Sequence, residues 1–101
     1  MNEFTLSGIA MGTPEVKTTD AGLVIGELVL GVKKTFKTKD GNDEIEMIKV
    51  NLFKKLAEDS EDIVDGMPLI VKGHIYSNNV TKDGKISYYS NIVADRIEKI
   101  D

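Results

Sequence analysis

At 101 residues with no cysteine, the chain has room for one domain around one modest core, and for neither a disulfide framework nor a thiolate nucleophile or metal site. A hydrophobic share of 41% and a charged share of 30% are those of an ordinary soluble globular domain, while a formal charge of -4 speaks at face value against a polyanionic partner. The opening MNEFTLSGIA lacks a basic n-region and a long apolar stretch, and no apolar run approaches bilayer length, so a cytoplasmic protein with no signal peptide and no membrane partner is expected.

Asn2 to Ala10 reads as a strand, with Phe4 and Leu6 on one side and Gly8 marking a bend or bulge. Gly12-Thr13-Pro14-Glu15 is a turn, after which Val16 to Thr18 resumes an extended run up to Asp20-Ala21-Gly22. A long strand follows from Leu23 to Phe36, with Val24, Leu28, Leu30 and Val32 on one face; Gly26 and Gly31 inside it suggest curvature or close backbone approach. Asp40-Gly41 is a hairpin signal, and its return strand begins the stretch Glu44 to Glu58. Leu56 to Val64 is the one plausible helix, ended by Gly66-Met67-Pro68. Leu69 to Tyr76 is a strand with Leu69, Val71 and Ile75 inward and Lys72, His74 and Tyr76 outward, Asp83-Gly84 is a second hairpin turn, and Ile86 to Ile97 closes the chain. Three strands, a short helix and two more strands predict an all-β single domain over residues 1–101: a five-stranded Greek-key barrel of the oligonucleotide-binding (OB) type with one short helix between strands 3 and 4.

The third strand carries the functional signal. Ile48, Val50 and Leu52 point one way, and Met47, Lys49, Asn51 and Phe53 the other. Cations interleaved with flat or soft apolar groups suit a single-stranded nucleic acid, phosphates on the first and bases on the second. Charge distribution softens the objection from net charge. Lys33, Lys34, Lys37 and Lys39 lie close together and Lys49, Lys54 and Lys55 follow, whereas the acids gather at Asp40 to Glu46 and Glu58 to Asp65. The acids at Asp43, Glu44 and Glu46 sit beside a turn with no partner base, so no catalytic constellation is expected; the single histidine, His74, makes a metal site improbable and reads as a surface residue beside Tyr76. No cofactor-binding motif is present.

The chain also resembles the bacterial and phage single-stranded DNA-binding protein family over nearly its whole length. The resemblance rests on FTLSGIAMGTPEVK, where Gly8 and Pro14-Glu15 fit the family's G-x-x-x-x-x-P-E pattern, then on LVLGVKKTFK, EMIKVNLFKKLAE, GMPLIVKGHIY and DGKISYYSNIVADRI in that order. It implies an aromatic at the end of the second strand, here Phe36, a basic residue at Lys49 and a phenyl ring at Phe53. Met47 and Val80 stand where the family places further aromatics, and Tyr88 or its neighbour Tyr89 stands before the last strand. Those two must face opposite ways, so one of them is expected in the core; Tyr88 is placed in the groove. The family's glycine-rich linker and acidic recruiting tip have no counterpart here, which fits either a shortened chain or a minimal family member.

The expected function is therefore non-catalytic binding of single-stranded DNA without sequence specificity. Lys33, Lys34, Lys37, Lys49, Lys55 and Lys72 are expected to meet phosphates, and Phe36, Met47, Phe53, Tyr76 and Tyr88 to meet bases, protecting the strand during replication, recombination or repair. Resemblance implies a homodimer or homotetramer, with Asn2 to Ala10 at the interface, and contact with replication or recombination proteins. The alternatives are a primosome-type accessory protein of the same fold and a barrel that serves as a protein-interaction module with weak or no DNA binding.

Overall fold

The computed structural model describes residues 1–37, 39–41 and 43–100, with the side chains of 35–37 and 43 left outside that description. Alternating aliphatic and polar residues give six strands: β1 (Phe4–Ala10), β2 (Glu15–Thr18), β3 (Val24–Lys37), β4 (Asp43–Phe53), β5 (Pro68–Lys82) and β6 (Lys85–Lys99). They form one sheet in the order β1-β5-β6-β4-β3-β2, and a further pairing of β1 with β3 closes it into a barrel. β1 and β2 lie one after the other along the same edge of β3, with Ala10 opposite Leu30 and Glu15 opposite Glu27. They act as two legs of one bent strand, so the closed circuit has the five staves that the sequence pattern predicts. β4 and β6 complete the circuit through one parallel pair, Asn51 with Val93.

One face of each stave fills the barrel. Leu28 and Leu30 of β3, Val50 and Leu52 of β4, and Leu69 and Val71 of β5 are fully buried, each contributing about 1.5–3 kcal/mol of hydrophobic stabilisation. The expected face of the long strand is confirmed, with Val24 and Val32 packed against that core. Two glycines permit the closure. A Cβ on Gly8 would lie 2.2 Å from the carbonyl oxygen of Gly31, and one on Gly73 would lie 1.9 Å from that of Val93. Gly8 thus marks a close crossing of β1 over β3.

The helix is shorter than expected: α1 (Lys55–Asp59) runs into a 3-10 turn over Ser60–Asp62. Lys54 turns the chain out of β4 with φ 57 and ψ -129, and its N–H donates to the Val24 carbonyl at 2.8 Å. Ala57 and Ile63 then plug the end of the barrel. The Ser60 hydroxyl is buried and donates to the Ala57 carbonyl at 2.6 Å, and the Lys99 ammonium ties the turn to the end of β6 by holding Asp62.

The last hairpin departs most from expectation. Its strands reach Lys82 and Lys85, where the sequence pattern ends the fourth strand at Tyr76 and places the Asp83-Gly84 turn in a segment from Asn78 to Lys85. Asp83 (φ 53) and Gly84 (φ 76) form the two-residue turn. Ile75, expected inward, is 46% exposed. The reason is the length of β1, whose pairing with β5 begins at Phe4 opposite Gly73. Beyond that point the side-chain amide of Asn2 takes over, donating to the Ile75 carbonyl at 2.6 Å and accepting from its N–H at 2.9 Å. From Ile75 to Ser90 every residue is exposed, so a two-stranded arm stands out from the barrel. The radius of gyration is accordingly 15.6 Å, against about 13 Å for a compact chain of this length.

Candidate nucleic-acid interface

The outer face of β4 is arranged as its alternation predicts. Ile45, Met47, Lys49 and Phe53 are exposed while Ile48, Val50 and Leu52 turn into the barrel. Register with β3 places Ile25 beside Phe53, Glu27 beside Asn51, Val29 beside Lys49 and Gly31 beside Met47. Met47, opposite Gly31, is 66% exposed. The Lys49 ammonium lies 3.7 Å from the Glu27 carboxylate, a wide, solvent-exposed pair of small energetic weight.

On the far side of β4 the arm adds a second wall. β6 meets β4 at Val93, and β5 meets β6 with His74 opposite Val93 and Tyr76 opposite Asn91. Phe53, His74, Tyr76, Asn91 and Val93 together line an open cleft of about 500 Å³, within the size range of small-ligand sites. Phe53, 42% exposed, and Tyr76 come from strands on either side of the helix and converge there.

Register also decides the tyrosines. The turn at Asp83-Gly84 pairs Asn78 with Tyr89 and Asn79 with Tyr88. Tyr89 therefore shares the face of Tyr76, and Tyr88 lies on the opposite face with Ile75, Ile86 and Ile92. Neither is in the core: Tyr88 is 71% exposed and Tyr89 56%, because the arm has left the barrel. This corrects the expected core placement of one tyrosine, and it puts Tyr88 on the face of the arm away from the cleft.

The lysines are dispersed. Lys33 lies on the outer face, lining a shallow groove with Gly31, Ile45 and Ser7. Lys34, the next residue, falls on the other face of β3 and pairs with Glu44 at 2.8 Å; that hydrogen bond, with the charge of Glu44 behind it, raises the Lys34 ammonium above its ordinary value. Lys72 is exposed on β5, two residues before His74, and lines a separate hollow with Glu3, Thr5 and Asp95. Lys55 is exposed at the start of α1. The side chains of Phe36 and Lys37 lie outside the described residues. The structure thus brings Met47, Lys49, Phe53 and Tyr76 onto one surface, separates Lys34 and Tyr88 from it, and adds His74, Asn91 and Tyr89.

His74 has a partner that spacing along the chain conceals. β6 carries an irregularity opposite β5: Lys72 pairs with Arg96 and Gly73 with Ala94, leaving Asp95 unmatched. Such a bulge turns two successive residues outward. Asp95, which continues the outward face of Asn91 and Val93, reaches the His74 ring, with Nδ1 at 3.0 Å and 3.1 Å from its two carboxylate oxygens, and the bulge turns Arg96 outward after it. Among the described residues no three acidic or histidine side chains form a metal-holding group, and no helix is long and apolar enough to cross a membrane.

The family model of the Single-strand binding protein family matches residues 1–100. The chain belongs to that family. It is 31% identical over 100 residues to single-stranded DNA-binding protein 2 of Staphylococcus aureus (strain Mu50), covering 97% of this chain and 71% of the relative. Identity to single-stranded DNA-binding protein 3 of Listeria innocua is 30% over 100 residues, covering 97% of this chain and 62% of that one. The fold matches the crystal structure of a deletion mutant of the single-stranded DNA binding protein from Thermus aquaticus with a TM-score of 0.78 at 24% identity, covering all of this chain and 51% of that one. The family member described here therefore spans between half and about two thirds of the length of several of its relatives.

Proposed function

We propose that this chain binds single-stranded DNA without reading its sequence, laying the strand along the outer face of β4 and the arm. The observation that carries the reading is the convergence of Phe53 and Tyr76 on one open cleft, with Met47 and Lys49 continuing the same face. Rings and a thioether offer platforms for bases, and Lys33, Lys49 and Lys72 offer cations for phosphates. The Glu27 carboxylate beside Lys49 is a weak competitor that a phosphate displaces at little cost. Nothing in this mechanism requires a reacting group. The strand is held unpaired and protected, which suits replication, recombination or repair in the cytoplasm.

Self-association as a homodimer or homotetramer is part of the same reading. One edge of β1 pairs with β5 from Phe4 to Ile9, whereas its other edge meets β3 only at Ile9 and Ala10. The backbone edge from Phe4 to Gly8 has no ladder partner among the described residues, and a second copy would satisfy it. Bound DNA so displayed is also accessible to replication or recombination proteins.

Titration of a labelled oligothymidine, followed by fluorescence anisotropy, tests the function. Three phosphate contacts at about 0.7 per contact predict a log–log salt slope near -2, or about twentyfold weaker binding at about 200 mM than at 50 mM salt. Absence of binding at low salt would refute the reading.

A further inference from the structure

The cleft between Phe53 and Tyr76 holds more hydrogen-bonding chemistry than stacking requires. His74 and Asn91 line it beside the two rings. The His74 Nδ1 sits nearly equidistant from both Asp95 oxygens, at 3.0 Å and 3.1 Å. An ionised carboxylate can only accept, so Nδ1 carries the proton. In the neutral ring Nε2 is then purely an acceptor, and it is the nitrogen left to meet a ligand. Thymine and guanine present a ring N–H at the centre of their pairing edge. Cytosine and adenine present a lone pair there, which would face the lone pair of Nε2. The Asn91 amide can turn to serve the carbonyl that flanks the N–H in thymine or guanine.

We propose that this cleft takes one nucleobase of the bound strand and favours thymine or guanine, with His74 as the edge-reading residue and Asp95 as the positioning residue that holds its tautomer. The inference rests on the single-strand reading above and deepens it. One base per protomer is biased and no sequence is read, so binding stays tolerant of sequence along the rest of the face. Asp95 continues the outward face of Asn91 and Val93, which places it beside His74.

The test is the ratio of affinities for labelled oligo(dT) and oligo(dC) of equal length, measured by anisotropy at pH 8 and low salt on the full chain. Wild type is compared with His74→Gln and Asp95→Asn, each checked by circular dichroism for an intact fold. A glutamine amide can offer either a donor or an acceptor, and an asparagine at position 95 no longer fixes the imidazole tautomer. Both variants should lower the dT:dC ratio by about two- to tenfold, the worth of one neutral hydrogen bond. A ratio unchanged in both variants would overturn the inference while leaving single-strand binding in place. Failure of the wild type to bind either oligonucleotide would overturn both.

Discussion

Replacing Phe53 by alanine puts the exposed face to its most direct trial. The ring stands opposite Ile25 of β3 and forms one wall of the cleft it shares with Tyr76. It lies outside the barrel core, so folding loses little more than one cross-strand contact, about 0.2–1 kcal/mol. For a domain of this size that lowers the thermal midpoint by no more than about 4–8 °C. Binding loses more. A stacked base is worth about 1–3 kcal/mol, which at about 1.4 kcal/mol per tenfold weakens Kd by about five- to 150-fold. Anisotropy with a labelled oligothymidine gives the affinity, and a melt followed by circular dichroism gives the midpoint. A folded variant whose Kd stays within about twofold of wild type would refute the argument that this face stacks bases.

Three further outcomes follow from the geometry. Tyr89→Ala should weaken oligothymidine binding more than Tyr88→Ala, since Tyr89 shares the face of Tyr76; equal losses in the same titration would count against the register argument. Gly73→Ala should destabilise the fold by about 3 kcal/mol, because its Cβ would lie 1.9 Å from the Val93 carbonyl oxygen, which cannot retreat without breaking the β5–β6 ladder; a urea midpoint close to wild type would contradict this. The Lys99 hydrogen bond lowers the Asp62 carboxyl below its ordinary value, so the stabilisation is present above the unfolded-state value and is lost as pH falls through the lower folded-state value. Asp62→Asn should therefore show a shallower loss of stability than wild type below about pH 4, read from melts in a pH series.

The barrel was legible because its staves have one dry face and one wet face. Val50 and Leu52 against Met47 and Phe53 is a pattern with a single solution, and β4 folds that way. The arm has no dry face. Asn78 and Asn79 read as a connection because hydrophobic alternation ends where the strand leaves the core, though the backbone ladder continues to Lys82. Its facing was nonetheless within reach. A two-residue turn at Asp83-Gly84 pairs Lys82 with Lys85, and counting back in twos from that pair puts Tyr89, not Tyr88, with Tyr76. The role of His74 was hidden for a different reason. Its partner is 21 residues away, so only the register of the hairpin, and not local spacing, brings the two together.

The bulge in β6 separates two specifications that a regular hairpin would lock together. Below it, the pairing of Val71 with Ile97 obeys the core; above it, the pairing of Tyr76 with Asn91 obeys the turn. One unmatched residue absorbs the mismatch between the two counts. The arm can consequently be lengthened or shortened by a residue pair, one from each strand, or by two such pairs to keep the facing, without disturbing a single packed side chain. Each two-residue step along a strand changes its reach by about 7 Å. The barrel is a fixed base, and the length of the arm is a property that can change without rebuilding the fold.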